Sequence, residues 1–383
     1  MFKLNLLAPI NDLGYGVYAR GIIKGLSEIG YDDYRLSVIG RREGELSAQE
    51  IPILNKLEKG VWYREAPCVK IWHEYQMNDL SGYKLIACPF FETTKLFPKA
   101  IHDLKQMDSV FVTSQWAKNV VEQNIGNDTP VYVVNGAGQE FDFDEDFEKF
   151  SVFTFTHVGK FEYRKCTEEI IKCYIDCFEN KKEDTRLIVH CFNPFDGNFI
   201  NNTAQVLMNL GLQLLPTATD GRKLIAMRGN AVVEIPKVKL AKQDLYALYK
   251  CSHIGVFPSR GEGWNLELFE SIVNGLPCIA SYATAHTEYV NTDLNYPQDL
   301  LLFNGKEEIA SDGRWFNGNR GNWISPDLNE LREKMLYCYT NYDNIMRTFD
   351  NTKIKEKFTW KNSAKQFVNA LSETMRRGLE INE

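Results

Sequence analysis

The chain has 383 residues, of which 44% are hydrophobic and 25% are charged, and its formal net charge is −7. This composition is typical of a globular protein and excludes a mostly disordered chain, and the length suits two or three domains. The acidic balance argues against a dedicated nucleic-acid binder, because such proteins gain much of their affinity from basic residues that neutralise phosphates.

The first half of the sequence alternates apolar runs of strand length with helical patterns. The run FKLNLLAP predicts a strand, residues 11–16 a Gly-rich turn, and residues 17–29 a helix with apolar residues at helical spacing. Further strands are predicted for RLSVIG, VKIWHEY, YKLIACPF, SVFVTS and VYVVNG. Short strands separated by helices indicate a parallel, doubly wound sheet.

An acidic segment at residues 139–150, QEFDFDEDFEKF, interrupts the alternation and indicates a linker between domains. A second series of strands is predicted after it, in SVFTFTHVG, RLIVHCF, AVVEIP, HIGVFPS and PCIASY. Helices are predicted between these strands at residues 167–178, 242–250 and 266–275. The pattern predicts a second parallel sheet, with a ligand cleft between the halves, outside the carboxyl ends of the strands.

The remainder of the chain contains an irregular segment and a terminal helix. Residues 299–326 are rich in Gly, Asn and Trp with little periodicity, and we predict a long ordered loop there. The tail FTWKNSAKQFVNALSETMRRGL predicts an amphipathic helix whose apolar stripe is formed by Ala364, Phe367, Val368 and Leu371.

Cysteine usage and the N-terminus bear on the compartment. The nine cysteines are odd in number and include no CxxC pair, which favours buried thiols in a reducing compartment. The N-terminal apolar run is interrupted by Asn5, Pro9 and Asn11, so it is too short for a signal peptide or a membrane span. We therefore expect a cytoplasmic protein with no integral membrane segment.

The segment HIGVFPSRGEGWNLELFESIVNGLPCIAS carries the most chemical information. A predicted strand leads into a loop with Gly261 and Gly263, and a helix opens near Asn265. The free backbone N–H groups and dipole of a helix start form an anion site suited to a diphosphate. Seven residues separate Glu262 from Glu270, and a carboxylate that borders an apolar stripe either accepts hydrogen bonds from sugar or ribose hydroxyls or merely flanks a buried face.

This segment resembles the E-x7-E signature of the retaining glycosyltransferases of GT-B fold, family four (glycosyl transferases group 1). The residues in register are Pro258, Ser259, Glu262, Gly263, Trp264, Leu266, Phe269, Glu270, Gly275, Pro277 and Ile279. Trp264 stands where Phe is usual and Asn265 where the second Gly is usual. The resemblance implies an α/β protein of two Rossmann-like domains, residues 1–145 and 146–355, with a helix at 356–383 that crosses back onto the first domain.

The turn GKFEYRKC, residues 159–166, resembles the family's cationic element. By resemblance, Lys160 and Lys165 hold the donor diphosphate, Arg164 is their neighbour, and Cys166 stands where Gly is usual. Paired cations can neutralise a leaving diphosphate without a metal. Considered alone, the segment also fits a solvated basic turn.

The resemblance assigns roles residue by residue. Catalytic roles are predicted for Glu262, Lys165, Lys160 and His73, the last at the end of the strand in IWHEY, where a structural histidine is the other interpretation. Donor binding is predicted for Gly14, Tyr15, Gly16, Arg164, Gly263, Trp264, Asn265, Leu266 and Glu270. Glu74 has weaker support. His286 and Glu288 could reach the cleft, although a loop histidine is usually exposed, and His157 is expected in the core.

The activity that the resemblance implies is hexosyl or pentosyl transfer from a nucleoside diphosphate sugar, with UDP favoured over GDP, to an acceptor hydroxyl with retention. No cofactor and no metal are expected, and the D-x-D pattern at Asp142 and Asp144 is interpreted as a solvated charge run. The sequence does not specify the donor sugar, the oligomeric state, a host or viral origin, or the acceptor, which could be a glycan, a lipid-linked sugar, a small molecule or modified DNA.

Alternatives from other classes remain open. A phage-type glycosyltransferase acting on hydroxymethylated DNA bases is disfavoured by the net charge of −7. A non-catalytic nucleotide-sugar-binding protein is disfavoured because Lys160, Lys165, Glu262 and Glu270 are all present. A NAD-dependent oxidoreductase lacks the required G-x-G-x-x-G between the first strand and helix.

Overall fold

The computed structural model describes residues 3–139, 147–182, 184–216 and 221–377. The first half forms a parallel sheet of strand order β2-β1-β3-β4-β5-β6. Its strands are β1 (Leu4–Ala8), β2 (Tyr34–Val38), β3 (Cys68–His73), β4 (Leu85–Phe90), β5 (Ser109–Val112) and β6 (Val131–Val133). The helices that connect them are α1 (Gly14–Glu28), α2 (Glu50–Lys59), α3 (Pro98–Leu104) and α4 (Gln115–Ile125).

The second half forms another sheet, of strand order β14-β13-β12-β7-β8-β11-β10-β9. Its strands are β7 (Phe153–Val158), β8 (Thr185–His190), β9 (Gln213–Leu214), β10 (Lys223–Arg228), β11 (Ala231–Pro236), β12 (Ile254–Phe257), β13 (Cys278–Ser281) and β14 (Leu301–Leu302). The helices associated with it are α5 (Thr167–Phe178), α6 (Phe199–Asn209), α7 (Lys242–Cys251) and α8 (Leu266–Val273). At one edge, β10 pairs antiparallel with both β9 and β11, and the other pairs are parallel.

Apolar strands and amphipathic helices account for both sheets. All four residues of β5, β12 and β13 are buried, as expected for parallel strands covered by helices on both faces. His157 is fully buried within β7, which confirms its predicted core position. The prediction of two doubly wound parallel sheets is therefore confirmed, with the antiparallel edge of the second sheet as an addition.

The last helices connect the two halves. α9 (Leu328–Thr340), α10 (Tyr342–Thr348) and α11 (Thr352–Lys357) follow the second sheet, and α12 (Trp360–Arg377) packs on the first. Phe367 and Leu371 of α12 belong to the core of the first half, as the apolar stripe predicts. The predicted crossing of the terminal helix onto the first domain is confirmed, whereas the numerical domain boundaries remain predictions.

The predicted loop at residues 299–326 is wrong in its main part. That segment contains the antiparallel strands β15 (Lys306–Ser311) and β16 (Asn317–Ser325), which form a hairpin. Most residues of these strands are at least partly exposed, so no regular apolar alternation marks them in the sequence. The hairpin reaches the first half of the chain, where the backbone N–H groups of Thr94 and Lys95 donate to the carbonyls of Asn322 (3.0 Å) and Arg320 (3.1 Å).

Two further expectations concern thiols and membranes. All nine cysteines are free, and all but Cys177 are buried, which confirms the predicted buried thiols. Across the described ranges, no helix has the length and apolar character needed to cross a bilayer.

The α1–α12 contact generates a stability prediction. An added Cβ at Gly21 would overlap the Trp360 ring, so we expect Gly21→Ala to lower the free energy of unfolding by about 1–3 kcal/mol through overpacking. Urea unfolding followed by tryptophan fluorescence measures this change. The control is Gly14→Ala on the same helix, where a Cβ would meet nothing within 4 Å. Equal stability of the two variants would contradict the tight packing.

Candidate functional site

The candidate site lies where adjacent strands β7 and β12 end at the same edge of the second sheet. Parallel pairing of these strands brings the turn at residues 159–166 next to the loop at residues 258–265. In doubly wound sheets, ligands bind outside the carboxyl ends of the strands. Both predicted motifs of the second half therefore meet at one place.

Helix α8 begins at this edge with an unusual backbone conformation. Its N-cap residue, Asn265, has a φ of 70°, and its side chain accepts a hydrogen bond from the Leu268 backbone N–H (3.3 Å). Cys166, which precedes α5, has a φ of 59°. Both residues stand where the family signature has Gly, and left-handed backbone is the conformation that favours glycine. Both positions thus have the left-handed backbone that glycine favours although neither is a glycine.

Glu262 is the centre of a buried charge network. Glu262 is 5% exposed. Its carboxylate pairs with the Arg164 guanidinium (2.8 Å) and the Lys165 ammonium group (2.9 Å). Burial alone would raise the pKa of Glu262, but the positive charges of Arg164 and Lys165 outweigh it and hold that pKa well below its usual range. Glu262 is therefore ionised, and Arg164 and Lys165 are charged.

The network extends on both sides of Glu262. Lys165 also contacts Glu267 (3.3 Å) and Asn265 Oδ1 (3.4 Å), which joins the cationic turn to the first turn of α8. Lys160 pairs with Glu162 (3.0 Å), and Glu162 in turn pairs with Arg164. The structure thus brings three predicted site residues, Arg164, Lys165 and Glu262, together at the start of α8, and Lys160 is linked to them through Glu162.

Glu270 lies apart from this network. It sits on α8 against the segment that leaves the first sheet, and its carboxylate accepts a hydrogen bond from the Gln139 backbone N–H (3.2 Å). Burial raises the pKa of Glu270 to about 8, so the side chain is mostly protonated at neutral pH. Glu262 and Glu270 hence have opposite protonation states despite their shared motif.

The first half supplies the facing wall. Tyr15, at the start of α1, packs against Trp72, Phe90 and the His73 ring, whose centroid is 6.4 Å away. His73 stacks on Tyr75, and its buried Nδ1 has no hydrogen-bond partner in the described structure. Burial, with help from the charges of Lys70 and Arg320, lowers the pKa of His73 to about 4.

The two glycines beside Tyr15 differ in their surroundings. A Cβ at Gly16 would overlap the Asn11 backbone and side chain, so the turn that leads into α1 requires a glycine there. A Cβ at Gly14 would meet nothing within 4 Å, so packing leaves this position open.

The loop before α8 touches the first half directly. A Cβ at Gly261 would overlap the Glu92 carbonyl, one at Gly263 would lie 3.1 Å from the Phe91 carbonyl, and the Thr113 hydroxyl donates to the Gly263 carbonyl. The crevice between the two halves of the chain is therefore narrow at this loop, and only glycine allows the two halves to approach so closely.

The side chains of Trp264 and Leu266 are less exposed than expected for predicted donor-binding residues. The Trp264 residue is 4% exposed, and its ring packs on Tyr289, Phe358 and the backbone of Gly136. Its side chain is thus part of the core, which leaves only its backbone for the predicted donor contact. Leu266 is partly buried against the same core.

Two loop residues contribute more than the sequence indicates. His286 is fully buried instead of exposed: its Nε2 lies 2.9 Å from Asn265 Nδ2, and its Nδ1 lies 3.0 Å from the Ser281 carbonyl. Glu288 accepts hydrogen bonds from the first half, from the Gln115 backbone N–H (2.8 Å) and Asn135 (3.2 Å). In the sequence, the signal for a role of these two residues was their position after β13, a strand that ends at the edge of the sheet where the site lies.

Within the described ranges, no cluster of three or more His, Cys, Asp or Glu side chains is arranged to hold a metal ion. The D-x-D pattern at Asp142 and Asp144 lies outside the described residues.

Residues 215–312 match the sequence model of the family described as glycosyl transferases group 1. A protein of Sulfolobus islandicus filamentous virus (isolate Iceland/Hveragerdi), described as a candidate glycosyltransferase, is 20% identical over 97% of this chain and 94% of its own length.

Solved structures share the fold over nearly the whole chain. The sucrose-phosphate synthase of Thermosynechococcus elongatus has a TM-score of 0.61 and 12% identity, with 100% of both chains covered. A trehalose-6-phosphate synthase studied for glycosyl transfer with retention has a TM-score of 0.61 and 9% identity, with 97% of this chain and 99% of the other covered. The predicted resemblance to glycosyl transferases group 1, the GT-B fold and the glycosyltransferase enzyme class are confirmed, whereas retention and membership of family four remain predictions.

The environment of Glu270 predicts a pH-dependent stability. Between the ordinary pKa of 4.5 and the folded value of about 8, the folded state binds the Glu270 proton and the unfolded state does not, so stability falls as pH rises through this window. We expect Glu270→Gln to match the wild type near pH 4 and to exceed its free energy of unfolding by about 1–3 kcal/mol at pH 8.5. Urea unfolding at both pH values tests this, with the exposed Glu333→Gln as control. If the difference in free energy of unfolding between Glu270→Gln and the wild type did not change with pH, it would contradict a protonated Glu270 in the folded state.

Proposed function

We propose that this glycosyltransferase of GT-B fold moves a sugar from a nucleoside diphosphate donor, UDP before GDP, to an acceptor hydroxyl with retention and without a metal. The observation that carries the proposal is the pairing of Arg164 and Lys165 with Glu262 at the start of α8. Buried cations beside a helix N-terminus offer fixed positive charge to a diphosphate.

Donor binding would redistribute the existing charges. A bound diphosphate would add negative charge next to Lys165 and Lys160. In the structure, carboxylates neutralise the ammonium groups of both lysines. Each Glu262 oxygen has one cationic partner, Lys165 at Oε1 and Arg164 at Oε2, and a carboxylate oxygen has two lone pairs. Glu262 thus retains acceptor capacity for hydroxyl groups of the donor sugar, and Glu270 is assigned to the ribose.

The proposed reaction balances without a protein nucleophile. The bond from the anomeric carbon to the phosphate oxygen breaks, and its electron pair stays on the nucleoside diphosphate, whose charge the cations stabilise. The acceptor oxygen forms the new bond on the same face of the sugar, and its proton passes to the leaving phosphate oxygen. Retention is supported by the E-x7-E resemblance and by the fold shared with the trehalose-6-phosphate synthase.

DNA as the acceptor receives less support. The viral relative is compatible with a phage-type enzyme. However, the net charge is −7, and the carboxylates of Glu74 and Glu92 lie on the first-half side of the crevice. An assay that compares sugar transfer to hydroxymethylated duplex DNA with transfer to small acceptors decides between these two acceptor classes.

Ligand-induced stabilisation tests the donor. We expect UDP-sugars to raise the midpoint of thermal unfolding, since a ligand at 100 times its dissociation constant adds about 2.7 kcal/mol. A screen of UDP-, GDP-, ADP- and TDP-sugars by differential scanning fluorimetry makes the comparison. Stabilisation by a GDP-sugar alone would correct the base, and no stabilisation by any nucleotide sugar would contradict the proposal.

Substitution of Glu270 tests the assignment of the motif. We expect Glu270→Ala to lower kcat/KM by about tenfold to a hundredfold, the effect of losing a hydrogen bond to a carboxyl group, while the protein stays folded. Glu333→Ala, an exposed glutamate on α9, is the matched control. Release of nucleoside diphosphate measures both, and wild-type turnover by Glu270→Ala would remove Glu270 from the site.

A further inference from the structure

The β15–β16 hairpin is attached to the segment that follows β4. The Asn322 backbone N–H donates to the Thr94 hydroxyl (2.9 Å), in addition to the two backbone bonds between this strand and residues 94 and 95. Gly321 lies between these bonds with a φ of 79°, and a Cβ there would overlap Lys95 and the Thr94 hydroxyl. The close approach of the hairpin to the first half therefore requires a glycine at this position.

The hairpin also contacts Arg260, in the loop before α8. The Ile324 backbone N–H donates to the Arg260 carbonyl (2.9 Å), and the Arg260 Nε pairs with the Glu308 carboxylate (2.9 Å). The indole N–H of the buried Trp323 donates to the same carboxylate (3.0 Å). Arg260 is 4% exposed, so it is a buried cation, and the hairpin supplies one of its carboxylate partners.

The same guanidinium holds the cationic turn. Its Nη1 donates to the Tyr163 carbonyl (2.5 Å), and the group stacks over the Tyr163 ring at 3.6 Å from the centroid. The Arg260 backbone N–H donates to the Arg164 carbonyl (2.8 Å), and Nη2 pairs with Glu169 of α5 (2.6 Å). The backbone of this turn carries both cations that pair with Glu262, so Arg260 fixes their attachment point.

We propose that Arg260 is a positioning residue for the cations that meet the donor diphosphate, and that the hairpin couples this role to the first half. The inference rests on the proposed function and adds how the donor cations are held. A guanidinium binds its partners in a fixed planar fork, and the hairpin holds one partner, Glu308, in place through its attachment to residues 94 and 95. Donor affinity depends on this attachment, because cations that are already in place need no ordering when a diphosphate binds.

Gly321→Ala in the full chain detaches the hairpin from the first half. We expect it to raise the dissociation constant for a nucleoside diphosphate about threefold to tenfold and to leave that for the nucleoside unchanged, because only the diphosphate meets the cations. Isothermal titration calorimetry measures UDP and uridine, or the pair whose nucleotide sugar gives the largest thermal shift. The matched control is Gly318→Ala on the same strand, where φ is 85° and a Cβ would lie 3.3 Å from Ile309 of the hairpin itself.

Glu308→Ala interrupts the same connection at its other end. We expect a similar loss of diphosphate affinity. The double variant Gly321→Ala/Glu308→Ala should lose no more affinity than the weaker-binding single variant, since both changes break one connection, whereas independent effects would multiply. The control is Glu333→Ala, at an exposed position on α9.

Arg260→Lys tests the residue itself. The variant keeps the positive charge, but a lysine ammonium group cannot reproduce the fork that joins Tyr163, Glu169 and Glu308. We expect diphosphate affinity to fall about tenfold with nucleoside affinity unchanged, and Gly321→Ala to cause no further loss in this background.

The outcomes separate this inference from the proposed function. Equal diphosphate affinities of Gly321→Ala and Gly318→Ala, multiplied losses in the double variant, or equal losses for nucleoside and diphosphate overturn the coupling and leave donor use standing. The Gly321→Ala and Glu308→Ala comparisons decide the coupling even where Arg260→Lys does not fold. If the wild type binds neither a nucleoside diphosphate nor a nucleotide sugar, the proposed function fails, and the inference fails with it.

Discussion

The ion pairs of Glu262 with Arg164 and Lys165 are the interaction on which the rest of the site depends. All three groups are buried, and removing one member of a buried pair typically costs about 3–5 kcal/mol because it leaves an uncompensated charge. Such a network fixes the 159–166 turn against the start of α8 before any ligand arrives. The same carboxylate that stabilises the cations is thus next to the place where a diphosphate would need them.

The narrow crevice follows from backbone contacts more than from side chains. Gly261 and Gly263 approach the carbonyls of Glu92 and Phe91, so the loop before α8 is in contact with the segment that follows β4. The β15–β16 hairpin adds backbone hydrogen bonds to residues 94 and 95 on one side. On another side Lys239 pairs with Asp12 (2.7 Å). Preorganisation of both walls reduces the ordering that binding would otherwise require.

Local pattern was sufficient for the two parallel sheets and for the helix start near Asn265, because their apolar periodicity and glycine spacing lie within short segments. The cationic turn was assigned only by its resemblance to the family's element, since its residues alone also fit a solvated basic turn. It failed where burial depends on distant segments. Trp264 is in the core because Gly136 and Phe358 pack on it, and His286 is buried because Asn265 and Ser281 bond to it. The hairpin was missed because strands with exposed faces and many Gly and Asn residues leave no apolar alternation.

The substitution of Asn265 for a signature glycine shows how the helix start is coupled to the cations. A left-handed conformation costs roughly 1–2 kcal/mol for most residues, and Asn is among the few that adopt it routinely. Its side chain caps α8 through the Leu268 N–H, lies 3.4 Å from Lys165 and contacts His286. Glycine would supply the backbone conformation but none of these contacts. The residue therefore keeps a left-handed backbone at the helix start while linking the helix, the cationic turn and the loop after β13 into one unit.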